Sequence, residues 1–463
     1  MQWTVRLEAR TSAGEVKTTE LVTFSRPGVV STLAEVGLML AEAKTLLAKL
    51  QESMLCGQVA AYAAHHRACA ACGALQPLKD RRMRRLQTLF GTVEVEAPRF
   101  KVCRCRLTES AAAVTVSPIC ALLTARCTPE LERVQAELGA CTSFRDGARI
   151  LESLLPVSPA NHESVRTRTH AVALQLEAAD RQAAAEVTAV RDDTNKTAAA
   201  DASRPVVMLD GAYIRAVPGH QVRNFEAICG KVEHEGHPTR RFAFVRSVAE
   251  QPHTLLRAAL RDQGWRESRP VTAISDGDPA LPALVRSATG GPVELILDWF
   301  HLSMRVHHVE QVMDGLCALE PPPSAPPDQA QINVERLRHL LWNGHHDEAC
   351  EALGRIVIWA KDASVLDDPA MGAGARRLVA RCTELQAYIE ANKAALIDYG
   401  QRHRAGKPIS TSRAEGTVNQ LVSARMNKRQ QMRWSPRGAH RVLQVRAAVL
   451  DRRFGHPALQ LAA

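Results

Sequence analysis

The chain has no apolar run long enough to cross a bilayer, which argues against a membrane-spanning helix. Its opening residues, MQWTVRLEAR, carry neither the apolar core nor the cleavage site of a secretory signal, so a cytoplasmic protein is expected. No internal repeat is visible, so solenoid and array architectures are not expected. Acidic residues are in deficit: 49 Asp and Glu stand against 59 Lys and Arg, giving a formal net charge of +10 and a pI of about 9.2. Such an excess suits a polyanionic partner, either nucleic acid or a membrane surface. What is plentiful is apolar: 46% of the 463 residues are hydrophobic, enough for several domains with full-sized cores. In a reducing compartment the 12 cysteines should be thiols or metal ligands rather than disulfides.

The hydrophobic pattern divides the chain. Residues 1–66 read as a hairpin, with Trp3, Val5 and Leu7 alternating and a turn at Ser12–Gly14, then a long helix from about Val29 to His66. Residues 67–107 hold a cysteine-rich ribbon. Residues 108–190 read as helical, with helices near 128–140, 143–155 and 160–180 and Gly139 closing the first of them. A polar linker, 191–204, carries DDTNKTAAADAS. Strand-like runs fall at 205–210, 225–232, 241–248, 270–275 and 293–297, with helical stretches before the fourth and the fifth. That order predicts a mixed five-stranded sheet flanked by helices over 205–301. Residues 302–410 read as helical, interrupted by the loop EPPPSAPPD at 320–328. Residues 411–463 close with helices near 413–432 and 436–453, the second opened by Ser435 and Pro436.

Three strands end on a carboxylate: Asp210 in VVMLDG, Asp276 in ISDGD and Asp298 in ILDWFH. An ionised group at the rim of an apolar core is costly unless something binds it. The first and fourth strands can be neighbours, which would set Asp210 against Asp276 across one sheet edge. A divalent cation resolves such repulsion. Asp-Gly is also a common turn signal, and one alone would be read that way. Two of them on neighbouring strands of a basic chain favour a metal site for phosphoryl chemistry, which needs a further carboxylate from elsewhere.

Cys69-Ala-Ala-Cys72 and Cys103-Arg-Cys105 flank the strand-like FGTVEVEAPRF. The C-x-C pair is tighter than the usual second knuckle, and four free thiols are the alternative. Four cysteines within residues 69–105 nonetheless favour a structural, four-thiolate Zn²⁺ site with no open position. Arg81, Arg82, Arg84 and Arg85 read either as a phosphate-contacting loop or as a solvated charge run. Near the C-terminus, Arg425, Lys428 and Arg429 fall on one helix face and, with Arg433, Arg437 and Arg441, offer a surface for a DNA backbone. The helices over 128–180 are either a helix-turn-helix, with Asn161, His162, Ser164, Arg166 and Arg168 near the start of the last helix, or a plain scaffold. Trp342, in LLWNGHH, is either core or a platform for an unpaired base.

Together, VVMLDG, ISDGD, ILDWFH and SRAEGTVNQLVSARMNKRQQMRWSPRGAHRVLQVR resemble the insertion-sequence transposases of the Kra group, over roughly residues 70 to 455. The resemblance implies an α/β ribonuclease H-like core, a mixed five-stranded sheet with helices. That core would carry a large all-helical insertion and follow a zinc ribbon and a helical N-terminal region. It further implies that Asp210, Asp276 and Glu415 are a DDE triad holding catalytic Mg²⁺ or Mn²⁺. Asp298-Trp299-Phe300-His301 is similar to the D-x-x-H element of Mutator-like and hAT-like transposases. Asp298 and His301 are expected to support the sheet edge or the Asp276 loop. Ser412 and Glu415 also fit a capping box, in which the glutamate caps its own helix. Glu384 and Glu390, within amphipathic patterns, are lesser candidates. The function implied is a DNA transposase that cleaves and joins double-stranded DNA at element ends and target by two-metal-ion phosphoryl transfer. It would act as a homo-oligomer, nucleoid-associated when bound to DNA. The alternatives are another ribonuclease H-like nuclease and an inactive DNA-binding regulator derived from a transposase.

Overall fold

The computed structural model describes residues 1–10, 14–26, 28–29, 32–33, 36–106, 114–157, 161–185, 204–267, 269–319, 326–365, 368–411, 416–428, 430 and 432–455. The linker expected at 191–204 and the loop at 320–328 therefore fall largely outside the described residues. Two compact units are present, one built on Met1–Val172 and the other running on from Ala173.

In the first unit, β1 (Gln2–Arg10) and β2 (Val16–Ser25) form the expected antiparallel hairpin. Helix α1 (Leu40–His65) starts later than the apolar period suggested. Glu42 fixes that start: its carboxylate accepts the Met39 amide at 2.9 Å and holds the Arg26 guanidinium, satisfying a donor the first turn would leave open. Strands β3 (Leu78–Thr88), β4 (Gly91–Lys101) and β5 (Thr115–Val116) make a three-stranded sheet. Val93, Val95 and Ala97 alternate inward on β4 and pack with Val59 and Ala63 of α1. After the short α2 (Pro118–Leu122) come α3 (Pro129–Cys141), α4 (Phe144–Leu154) and α5 (His162–Ala185), whose residues from Ala173 on belong to the second unit; they are close to the three helices expected. Thr128 and Ser143 cap α3 and α4. Gly139 does not close its helix. A Cβ there would lie 2.4 Å from Thr169 Oγ1, so the glycine permits close approach of α5.

In the second unit, β6 (Val206–Arg215), β7 (Asn224–Glu233), β8 (Arg240–Val245), β9 (Val271–Ser275) and β10 (Val293–Leu297) form the mixed sheet, ordered β10-β9-β6-β7-β8. The first three strands pair antiparallel, whereas β6, β9 and β10 run parallel. Helices α6 (Pro252–Asp262) and α7 (Ala280–Thr289) make the parallel crossovers and bury Val207, Leu209, Ile228 and Phe244. Helices α8 (Trp299–Cys317), α9 (Asp328–Trp342), α10 (His346–Ser364), α11 (Pro369–Ala391) and α12 (Tyr399–Arg404) share another core with Leu302, Leu337, Ile356 and Leu385. Trp342 belongs to that core: its ring meets Trp299 edge-on with centroids 4.9 Å apart, so the stacking role is withdrawn. Glu384 is an outer ion-pair partner of Arg305 and Arg381, each at 2.8 Å.

The helix expected over 413–432 is much shorter. Residues 416–423 are helical, with Asn419–Ser423 wound as a π-turn, and the chain then leaves the helix. Arg446, on α13 (Pro436–Leu450), takes the carbonyls of Leu421 (2.8 Å) and Gln420, competing with continued helix. A buried ion network locks α13 to the sheet. Arg240, 4% exposed, meets Asp180 at 3.1 Å, Asp262 at 2.7 Å and Asp451 at 3.3 Å. Arg240→Met would leave Asp180 to Arg453 (2.7 Å) and Asp451 to Arg241 (2.7 Å), and is expected to cost about 1.5–3 kcal/mol, read as a lower urea midpoint.

Candidate functional site

The parallel pairing of β6 with β9 ends at Met208↔Ile274. Asp210 and Asp276 each lie two residues further on, so they leave neighbouring strands in step and toward the same face. Asp210 is half-buried and pairs in register with the buried Cys229 of β7. Burial pushes its carboxyl up to about 6; the charges of Asp276 and Asp298 push the same way, while His301 opposes them.

The Asp276 loop is held from two sides. Asp276 Oδ1 accepts the Asp278 amide at 3.1 Å, and its carbonyl accepts the Tyr388 hydroxyl of α11 at 2.7 Å. Gly277 sits at φ +89° with Asn392 2.8 Å from where a Cβ would be, so both backbone and space require glycine. Asp278 accepts Arg246 at 2.6 Å, and Arg246 pairs with Glu226 of β7 at 3.2 Å. Burial works against the Asp278 charge, but Arg246 and the Ala280 amide hold it below the usual carboxylate range.

Asp298 is buried and its oxygens are fully engaged. They accept the amides of Phe300 (2.9 Å) and Thr411 (3.0 Å), His301 Nδ1 (2.7 Å) and the Thr411 hydroxyl. Burial would raise its carboxyl, yet these bonds together hold it low. Asp298 in turn raises His301, whose charge faces Asp210 and Asp276. A lowered Asp and a raised His stabilise the fold most between their ordinary values, from about pH 4 to about pH 6.5. That stabilisation fades as acid protonates Asp298, and again as rising pH discharges His301. His301→Ala should therefore lower Tm most inside this window and least above it, as thermal melts across pH would record.

The four cysteines do converge. Cys69 and Cys72 precede β3 and Cys103 and Cys105 follow β4, so the antiparallel β3–β4 pair brings its two ends together. Sulfur separations are 3.6 Å (Cys69–Cys105), 3.5 Å (Cys72–Cys103) and 3.4 Å (Cys72–Cys105). Four thiolates around one ion with bonds of about 2.3 Å would sit about 3.8 Å apart, and all four sulfurs here lie within 4.8 Å of one another, so a small rearrangement of this cluster suffices to hold a metal ion. The amides of Ala71 and Cys72 hold the Cys69 thiol down, to about 6, whereas hydrogen bonds from the other thiols push Cys105 up to about 12. Full ionisation of all four therefore needs a cation. Among the described residues, Asp210, Asp276, Asp298 and His301 do not gather into such a group. Glu415, the third acid that the resemblance implies, lies outside the described residues, as does Arg429.

The basic residues fare unevenly. Arg81, Arg82, Arg84 and Arg85 are on strand β3, not in a loop, and Arg81 and Arg85 pair with Glu96 (3.6 Å) and Glu94 (2.6 Å). Arg425 is fully buried beneath Trp434, 4.8 Å from the ring centre, and so cannot meet a backbone phosphate. The turn at 424–426 also removes the helix face expected to join it to Lys428. Lys428, Arg433 and Arg437 are exposed and Arg441 is half-buried. In α5, Arg166 pairs with Glu163 at 2.6 Å and Arg168 is taken by Gln135 and Gln87.

Sequence reading missed Asp278, Arg246, Tyr388, Asn392 and Thr411. Asp278 had a signal, standing two residues after Asp276 in ISDGD. Tyr388 had none, being 112 residues from the carbonyl it holds. Comparison of the chain with protein-family models and with curated proteins finds no match.

Proposed function

We propose that the chain is a metal-dependent DNA transposase that cleaves and joins DNA at insertion-sequence ends on a ribonuclease H-like core. The observation that carries this reading is the position of Asp210 and Asp276, each two residues past the last β6–β9 pair, with the Asp210 carboxyl raised to about 6 by burial and by neighbouring negative charge. Two carboxylates held that way suit Mg²⁺ or Mn²⁺, ions that are commonly bound by one or two carboxylates together with water and phosphate oxygens. Such an ion, bound by Asp210 and Asp276 with Glu415 as the third acid, would help deprotonate water or a DNA 3′-hydroxyl and neutralise charge on the phosphate.

The remaining work falls to the chain itself. His301 balances charge around the two aspartates, and Asp298 fixes the aim of its ring through Nδ1. Tyr388 and Arg246 hold the Asp276–Asp278 loop. Zn²⁺ at Cys69, Cys72, Cys103 and Cys105 would be structural, keeping the ribbon closed. Lys428, Arg433 and Arg437 are exposed cations suited to duplex DNA, and synapsis of two ends calls for a homo-oligomer.

The test is a joining assay with oligonucleotides carrying the element's own ends, with Mg²⁺ and with EDTA. Mg²⁺-dependent strand transfer supports the reading. Cleavage without joining would assign the protein to the ribonuclease H-like nucleases instead. Salt-sensitive DNA binding with no nicking in any metal would leave a DNA-binding regulator.

A further inference from the structure

Past Met208, β6 parts from β9 but stays paired with β7, which pairs with β8 as far as Ala227; beyond it Tyr213–Arg215 and Asn224–Glu226 continue as a two-stranded arm that turns at residues 216–223. One face of this arm is open. Tyr213 stands on it 68% exposed, three residues and about 10 Å along the strand from Asp210, whose side chain leaves the opposite face because strand side chains alternate. Arg215 follows two positions on, on the same face, and is exposed; so is Arg223 at the arm's tip.

The outer edge of β6 is lined by the segment leading into α13. Asn427 donates to the Tyr213 carbonyl at 2.8 Å and the Trp434 amide to the Arg215 carbonyl at 3.0 Å. This brings exposed Lys428 and Arg433 alongside the arm. The carboxylate on the open face, Glu226, is held by Arg246 at 3.2 Å. Among the described residues, Arg215, Arg223, Lys428 and Arg433 pair with no carboxylate. Gly211, on the same face as Tyr213, adds shape: a Cβ there would lie 2.9 Å from Glu226 Oε1, so the face stays flat beside Tyr213.

An exposed ring ringed by uncommitted cations is the chemistry of a single-strand platform: bases stack on the ring and phosphates track the charges. We propose that this arm binds a polynucleotide strand with unpaired bases, with Tyr213 as the stacking platform and Arg215, Arg223, Lys428 and Arg433 meeting its phosphates. The inference deepens the transposase reading and rests on it for the source of such a strand, a frayed DNA end; the Tyr213 face is opposite the one that carries Asp210.

The binding itself is measured without catalysis, using the full chain in EDTA, a fluorescein-labelled oligothymidylate and a blunt duplex, by anisotropy. Tyr213→Ala should weaken oligothymidylate binding about 5- to 150-fold. Tyr213→Phe should bind as wild type, and blunt-duplex affinity should hold in both variants. Arg215→Ala should reduce the salt slope of single-strand binding by about 0.7. Unchanged oligothymidylate affinity in Tyr213→Ala overturns the inference, as does an equal loss on the duplex. A wild-type protein that binds the strand through Tyr213 but never nicks DNA keeps the inference and removes the transposase reading. Nicking that persists with Tyr213→Ala binding unchanged does the reverse.

Discussion

Asp210→Asn should reduce Mg²⁺-dependent nicking and joining by more than about 100-fold, beyond the loss usual for a residue that only supports a metal ligand. The substitution keeps the shape of the side chain and removes the charge. In the folded protein that charge is disfavoured, since burial and neighbouring carboxylates raise the group to about 6. A raised carboxyl contributes stability when protonated and loses it as pH climbs past the folded value. At pH 7 the asparagine variant should therefore melt at the wild-type temperature or above it. Activity lost without stability lost is the signature of a metal ligand. A variant that nicks DNA within a few-fold of wild type would sink the assignment. So would a variant whose losses of activity and Tm rise together.

The second large effect concerns the thiol cluster. The protein purified under reducing conditions should carry one zinc per chain, lost together with ribbon structure in Cys69→Ser or on chelation. In small zinc domains the ion supplies roughly 10 kcal/mol or more of folding free energy. The ribbon here also packs Val93, Val95 and Ala97 on α1, so part of its structure has support besides the ion. Unfolding of the first unit should therefore shift far down in urea while the second unit, with its own cores, keeps its transition. Metal analysis finding no zinc in the reduced, folded protein would refute the site. Identical urea curves before and after chelation would show that whatever ion binds is not structural.

Both effects were visible in sequence because each rests on local pattern. The run Val206–Leu209 is apolar and short, so it reads as a buried strand, and a carboxylate at its end stands out. The same holds for Asp276 after VTAIS. That the first and fourth strands can be neighbours followed from the succession of strand and helix patterns, because short connections restrict which strands can be neighbours. The paired cysteines were legible because ligands at the two ends of a hairpin need little more than a turn to meet.

Other assignments failed for a shared reason. Arg425 looks like any surface arginine in a basic stretch, and only the return of Trp434 over its guanidinium makes it core. The helix expected to carry it stops because Arg446, from the following helix, takes its carbonyls. Trp342 needed Trp299 to reveal that it packs inward. Gly139 reads as a helix stop until Thr169 occupies the space its missing Cβ leaves.

The sequence by itself determined the strands and most helices, the two aspartates at strand ends and the four thiols, since periodicity and spacing are properties of neighbouring residues. Tertiary structure alone decided which cations are buried, what holds the Asp276 loop and where an exposed ring meets uncommitted charge. Those outcomes depend on which surfaces come together across tens or hundreds of residues, and a hydrophobic pattern records that a face is covered without recording what covers it.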